Sequence, residues 1–165
     1  MLHQLHQQHH HFADVIVYDA LASNAPWINA VKSYNIDTFI RVKDMRLNIV
    51  KDAKTTFKNS AANTTWIFHK TTTKKVTVSV WETSVKMKGV TEPLRFIKFS
   101  EKTTDCNTNK SKYNQMFIIT TVHYMALKTL YKIIHARWGI ENNIFRQLKT
   151  KWHMNHCFIH HKNNC

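Results

Sequence analysis

The chain has 165 residues, enough for one ordinary hydrophobic core, so we expect a single domain or a part of one. Its 24 Lys and Arg residues outnumber its 10 Asp and Glu residues, which gives a formal net charge of +14. This surplus favours a polyanionic partner, because cations that neutralise phosphates release condensed counterions. AT-rich coding DNA would also produce a chain rich in Lys, Asn, Ile and Thr, so charge alone does not identify the partner.

Several other classes of protein are excluded by the sequence. No apolar stretch reaches the roughly 18 residues that a membrane span needs, and the N-terminus lacks a basic region followed by an apolar one. We therefore expect a cytoplasmic protein with no membrane partner. The cysteines are scattered and odd in number, which argues against a disulfide framework: Cys106, Cys157 and Cys165. The run His9-His10-His11 could bind metal, but the apolar residues within 2–12 favour an amphipathic helix.

Residues 13–43 predict a strand, a helix and a second strand. Val15-Ile16-Val17-Tyr18 is an apolar run of the kind that a central parallel strand requires, and Asp19 follows it. Asn24 shortly before Pro26 is typical of a helix N-terminus and predicts a helix over 25–34. Residues 38–43 predict a second strand, parallel to the first. Asp19 is then expected at the sheet edge where such folds bind ligands.

Residues 44–121 predict a β-rich region. The pattern is weak over 44–75, where we expect loop and a short strand near Trp66-Ile67-Phe68. Alternation over 76–81 and 94–99 predicts an antiparallel hairpin with one solvated face. The polar residues 101–115 predict a surface loop, and 116–121 predict a further strand that shares one sheet with 15–19 and 38–43, with one edge of that sheet exposed.

After residue 122 the apolar period becomes helical and predicts two helices. Glu141 lies on the second, with Arg137 four residues before it and Lys149 eight residues after it. At about 100° per residue, the three side chains fall within one broad arc. Spacing alone favours a solvent-exposed ladder of salt bridges.

The sequence around Glu141 resembles a motif of a known protein family. Arg137-Trp138-Gly139-Ile140-Glu141-Asn142, with Phe145 and Leu148-Lys149, is similar to the helix that carries the last acidic residue of DDE-type insertion-sequence transposases. That family often has Tyr three residues before the Arg, where this chain has Ile134, and its Lys position holds Leu148.

A second block carries the same resemblance. Asp14-Val15-Ile16-Val17-Tyr18-Asp19-Ala20-Leu21, followed by Ala25-Pro26-Trp27-Ile28, looks like the strand with the second catalytic aspartate of the family, and Asp19 matches that residue. Between the two blocks the likeness is looser. Val80-Trp81-Glu82 and Glu92-Pro93-Leu94-Arg95 look like the strand-rich insertion of these transposases.

The resemblance implies a fold and its organisation. The implied fold is α/β, a ribonuclease-H-like catalytic core that is N-terminally truncated and has a β-rich insertion before the C-terminal glutamate helix. Residues 1–165 would form a partial catalytic domain, with a strand-helix-strand core at 13–43, the insertion and a strand at 44–121, and C-terminal helices at 122–161. Too few residues precede the first strand to form the meander that carries the family's first catalytic aspartate. Asp14 is not expected to replace it.

The implied activity is metal-dependent DNA cleavage and strand transfer during transposition. Asp19 and Glu141 would be catalytic and would be ligands of two Mg²⁺ ions. Without the first aspartate we expect the chain alone to be inactive, with a second chain or copy supplying the missing strands. The expected contacts to DNA, at transposon ends and target, are Arg137, Arg146, Lys149 and Lys151.

Two other interpretations remain open. The chain could be a basic DNA-binding module without catalysis, or a basic protein stabilised by zinc. A group of possible Zn²⁺ ligands near the C-terminus raises the second possibility: His153, His156, Cys157, His160 and His161. Structural zinc sites usually combine two separated pairs of ligands, so packing at a helix end is favoured for this segment.

Overall fold

The computed structural model describes residues 2–19, 24–43, 48–139, 143 and 146–151. The chain divides into two compact units, Met1–Met125 and Ala126–Cys165. Helices of the first unit are α1 (Leu2–His9), α2 (Ala25–Lys32) and α3 (Asn48–Lys58). Its strands are β1 (Val15–Tyr18), β2 (Asp37–Val42), β3 (Thr64–Thr71), β4 (Lys74–Val85), β5 (Leu94–Asp105) and β6 (Ser111–Thr120). The second unit contains α4 (Leu127–Gly139) and α5 (Arg146–Lys151).

The six strands of the first unit form one mixed, open sheet in the order β1-β2-β6-β5-β4-β3. β1 and β2 are parallel, whereas the pairings of β2 with β6 and of β3 to β6 with one another are antiparallel. The prediction of an α/β chain is therefore confirmed. The strands predicted near 15–19, 38–43 and 116–121 are neighbours in this sheet, and β1 lies at its edge.

The strand-helix-strand unit forms as the sequence predicts. The side-chain oxygen of Asn24 accepts a hydrogen bond from the backbone N–H of Trp27 at 3.0 Å, which satisfies one of the free donors of the helix N-terminus. Pro26 lies in the first turn, where its missing N–H has no cost. Ile28 and Val31 are the buried side chains of α2, and Ile28 belongs to the same buried cluster as Ile40 of β2. The helix ends at Lys32, slightly before the predicted end.

The prediction of loop over most of 44–75 is wrong, because 48–58 form α3. Val50, Ala53 and Phe57 recur at helical spacing and are its buried side chains. The polar residues between them hide this period, and the helix becomes stable by packing these three side chains into the core. β3 occupies the predicted strand around Trp66 and extends it to eight residues.

The surface loop predicted at 101–115 is also wrong. β5 continues to Asp105 and β6 begins at Ser111, so only a short turn separates the two strands. Polar residues fit here because a ladder satisfies their backbone groups while most of their side chains face water, and buried Glu101 accepts a hydrogen bond from Asn114 at 3.0 Å. Asp105 closes the turn by accepting hydrogen bonds from the backbone N–H groups of Thr108 and Asn107, at 3.1 and 3.0 Å. These bonds hold the pKa of Asp105 below its ordinary value.

The sheet has two faces with different neighbours. On one face, Ile40, Ile119 and Phe96 form a cross-strand row, and they share a buried cluster with α2 and α3. We call this the helical face. The antiparallel pairing predicted for β4 and β5 is confirmed, and in β4 Val76, Val78 and Val80 are buried on the opposite face. The predicted solvated face is wrong for the start of β5, where Leu94 and Phe96 are fully buried on the helical face.

The largely buried side chain of Arg95, on β5, connects β4 with the segment that follows β6. Its Nε donates to Glu82 Oε1 at 2.6 Å, and one of its terminal nitrogens donates to the carbonyl oxygens of Val122 and Met125 at 2.9 and 3.0 Å. The Arg95 side chain is only 10% exposed. It therefore fixes the turn that leads from β6 toward residue 126 by hydrogen bonds that replace its lost hydration.

Arg95→Met should lower the free energy of unfolding by about 3 kcal/mol, because it leaves Glu82 unpaired and two carbonyl groups without their donor. Urea denaturation would measure the change. In the double variant Arg95→Met, Glu82→Met the unpaired carboxylate is also gone, and part of the stability should return. Equal losses in the single and double variants would contradict this account of the pair.

Candidate functional site

Asp19 lies directly after the last residue of β1, at the C-terminal end of the parallel pair β1 and β2. Tyr18 precedes it, and its ring meets Trp27 of α2 edge to face at a centroid distance of 4.5 Å. This aromatic contact and the ladder from Val15 to Tyr18 fix the strand end. The Asp19 carboxylate therefore occupies the predicted edge, where open α/β sheets bind ligands.

The carboxylate of Asp19 is paired with Lys43, which follows the last residue of β2. Lys43 Nζ donates to Asp19 Oδ2 at 2.7 Å. Both side chains are partly exposed, Lys43 at 57% and Asp19 at 35%. Sequence reasoning missed Lys43, although the signal was present: residues that follow two adjacent parallel strands come out at the same edge of the sheet.

The other carboxylates of this unit's parallel strands lie at the opposite end. Asp14 precedes β1 and Asp37 begins β2, so the length of a strand separates them from Asp19. Asp37 accepts hydrogen bonds from Lys32 Nζ at 3.1 Å and from the Thr121 hydroxyl at 2.6 Å. The exclusion of Asp14 from the Asp19 site is thus consistent with the fold.

Glu141 lies outside the described residues, as do the possible zinc ligands at 153–161. The residues expected to contact DNA are in the second unit. Arg137 is in the last turn of α4 and is partly buried, while α5 consists of residues 146–151 and exposes Arg146, Lys149 and Lys151. The side chains of α5 are therefore accessible to solvent, which is compatible with contacts to phosphate.

Within the part of the chain that the structure describes, no three His, Cys, Asp or Glu side chains come together as a metal-binding group. Asp19 offers hard oxygen ligands of the type that Mg²⁺ prefers. The Lys43 ammonium group is paired with this carboxylate, and a metal ion would compete with it for the same oxygen.

No family model matches the sequence, and no curated protein matches it either. None of the helices described has the length and apolar character needed to cross a membrane.

Asp19→Asn should leave the fold intact, with a loss of less than about 1 kcal/mol in the free energy of unfolding. An ion pair as exposed as Asp19 and Lys43 contributes little, because water screens it. Asp37→Asn is the comparison: this side chain is 14% exposed and accepts from two donors, so its loss should be larger, about 1–3 kcal/mol. Thermal and urea unfolding of both variants would show the order, and a larger loss for Asp19→Asn would contradict it.

Proposed function

We propose that this chain is part of a DDE-type insertion-sequence transposase with a ribonuclease-H-like core, which cleaves DNA and transfers a strand. The observation that supports this best is the position of Asp19. It ends a parallel strand that is followed by a helix and a second parallel strand. This is the setting that the resemblance gives to the family's second catalytic aspartate.

The order of elements after this unit is consistent with the proposal. Four antiparallel strands, β3 to β6, extend the sheet between the strand-helix-strand unit and helix α4. The resemblance assigns a strand-rich insertion to this part of the chain, and places the glutamate helix after it. Glu141 follows α4 in the sequence within two residues of its end at Gly139.

Asp19 and Glu141 would hold Mg²⁺ in the proposed site. Bound there, two Mg²⁺ ions would activate the attacking oxygen and stabilise the leaving oxygen at a phosphodiester. Asp19 contributes a carboxylate directly after the last residue of β1, whose backbone is held by its ladder with β2. Lys43, whose Nζ lies 2.7 Å from Asp19 Oδ2, would contribute a cation to the same site and compensate the charge of a phosphate there.

We also propose that a further strand pairs with β1 in the active assembly. β1 lies at the sheet edge and pairs with β2 on its other side. An open edge offers backbone groups to another strand. A second chain or copy that adds a strand here could bring the first catalytic aspartate close to Asp19.

The alternative is a basic DNA-binding module without catalysis. One observation favours it: in the described residues, Asp19 is paired with the cation of Lys43, and no metal-ligand group surrounds it. The net charge of +14 supports DNA binding under either hypothesis.

Measuring Mn²⁺ binding by water-proton relaxation distinguishes the transposase proposal from the DNA-binding module without catalysis. Under the transposase proposal, Asp19→Asn and Glu141→Gln each weaken Mn²⁺ binding by about tenfold or more, because each removes a ligand of the same site. Asp14→Asn is the matched control, since it removes the same charge from the far end of β1 and should have no effect. DNA binding with Mn²⁺ affinities equal across all four proteins would favour the alternative.

The activity itself can be tested by strand transfer between duplex DNAs in the presence of Mg²⁺. We expect the chain to need a supplement that contains the missing strands and their aspartate. Asp19→Asn should abolish the transfer in that mixture while Asp14→Asn retains it. Equal transfer by the two variants would contradict the role of Asp19.

A further inference from the structure

The helical face of strands β3 to β6 carries no carboxylate. The strand registers place on this face the following residues: Thr65, Ile67, His69, Lys75, Thr77, Ser79, Trp81, Thr83, Phe96, Lys98, Ser100, Lys102, Thr104, Ser111, Tyr113, Gln115, Phe117 and Ile119. The acidic residues of these strands, Glu82, Glu101 and Asp105, have the opposite parity and lie on the other face. Strand alternation has therefore separated the acids from half of the lysines.

Helices α2 and α3 cover only part of this face. Phe96, Phe117 and Ile119 belong to the buried cluster. Farther along the strands the face is open, and Tyr113 and Ile67 are 64% and 54% exposed. Between the core and these residues lie Ser79, Ser100 and Gln115, which share a cross-strand row of small or amide side chains.

Lys54 and Lys98 bring two cations to the border of the core. Lys98 Nζ lies 4.2 Å from the centroid of the Trp81 ring, and Lys54 Nζ lies 5.1 Å from that of Phe117. Lys98 and Phe117 are direct cross-strand partners, so the two ammonium groups share one neighbourhood. Partial burial, and then the charge of Lys54, lower the pKa of Lys98. An anion at this point would relieve that repulsion.

Lysines of α3 continue the same surface. Lys51, Lys54 and Lys58 are spaced by three and four residues and fall within about 60° of the helix circumference. The Trp81 indole N–H donates to the carbonyl oxygen of Ser60 at 3.0 Å, which ties the end of α3 to β4. Asp52 lies on another side of the helix, where it lines a groove with Asn48 and Thr83.

We propose that this lysine face is a docking surface for the backbone of duplex DNA. The face is defined by Lys51, Lys54 and Lys58 of α3, Lys75 of β4, and Lys98 and Lys102 of β5. The inference rests on the proposed function only in taking DNA as the partner. It adds a surface separate from Asp19 and from the basic residues of the second unit.

The chemistry of the face fits phosphate and sugar. Lysines interspersed with Ser, Thr, Gln and Tyr are the side chains that contact a DNA backbone without reading its sequence. Lys98 and Lys102 are about 13 Å apart along β5, which spans about four base-pair steps of a duplex. Among the described residues, Lys54, Lys98 and Lys102 form no ion pair with a carboxylate, so no internal pair must break when DNA binds.

A charge-matched pair of variants tests the proposal. The first is Lys54→Gln, Lys98→Gln, Lys102→Gln, which removes three charges from the lysine face. The control is Lys74→Gln, Lys110→Gln, Lys112→Gln, which removes three charges from the opposite face and the β5–β6 turn. Fluorescence anisotropy with a 20-base-pair duplex of arbitrary sequence gives the dissociation constant at several salt concentrations. Circular dichroism and urea unfolding establish that both variants fold, and Lys→Arg substitutions at the three face positions serve as a second variant that keeps the charge.

The expected result is a loss of affinity of about tenfold or more for the lysine-face variant, with a salt dependence shallower by about three in the logarithmic slope. The control should lose less than about threefold, and the Lys→Arg variant should bind like the wild type. Equal losses in the lysine-face variant and its control would overturn the proposal, as would no DNA binding by the wild type.

Competing ligands decide whether duplex DNA is the occupant. Poly-glutamate that displaces the duplex at equal charge would show a non-specific anion surface, and tighter binding of a single strand that depends on Tyr113 would show a stacking platform. Either result overturns the assignment. Failure here is distinguishable from failure of the proposed function, because the Mn²⁺ and Asp19 measurements do not involve these lysines.

Discussion

The junction between β2 and β6 is the constraint on which the rest of the first unit depends. β2 pairs in parallel with β1 on one side and antiparallel with β6 on the other, so it joins the parallel part of the sheet to its antiparallel part. Buried threonines reinforce the junction. Thr120 Oγ1 donates to the Thr38 carbonyl at 2.6 Å, and Thr38 N–H donates to Thr121 Oγ1 at 2.9 Å. The Thr121 hydroxyl in turn donates to Asp37, so the hydroxyl groups of Thr120 and Thr121 are both satisfied inside the protein.

This junction closes a loop of about eighty residues, from Thr38 to Thr121. That loop includes α3 and strands β3 to β5. The entropic cost of such closure rises slowly with length, but it must be offset by long-range contacts. The buried row of Ile40, Ile119 and Phe96 supplies these contacts, because it crosses the junction and continues into the core with α2 and α3.

The elements that could be predicted from the sequence are those with a strong local signal. The apolar run before Asp19, the Asn24 cap and Pro26 specified the strand-helix-strand unit, and β1, α2 and β2 follow that prediction. α3 was missed because only Val50, Ala53 and Phe57 carry its period among Lys and Thr residues. The prediction of a loop at 101–115 failed for a different reason: polar residues are rare in a buried core but fit a strand whose side chains are mostly solvated.

The candidate site likewise combines a feature that the local sequence predicts with features that depend on contacts between distant residues. The position of Asp19 at a strand end followed from local sequence, whereas its partner Lys43 depends on the parallel pairing of two strands that are distant in the chain. The carboxylate-free lysine face depends on register as well. Glu101 and Lys102 are adjacent in sequence, and only the pairing with Val78 and Thr77 shows which face each occupies. Shifting one strand by a residue would exchange their faces.

The strand register also determines where the lysine face lies relative to the sheet edge that carries Asp19. β2 ends at Val42 opposite Phe117, but β6 extends back to Ser111, and β5 and β4 accompany it. At about 3.3 Å per residue, these strands continue about 20 Å beyond the end of β2. Asp19 and Lys43 follow β1 and β2 at that end. The strands that bear Lys75 and Lys102 thus project from the sheet edge of the candidate site, and a long polyanion is a ligand large enough to contact both regions.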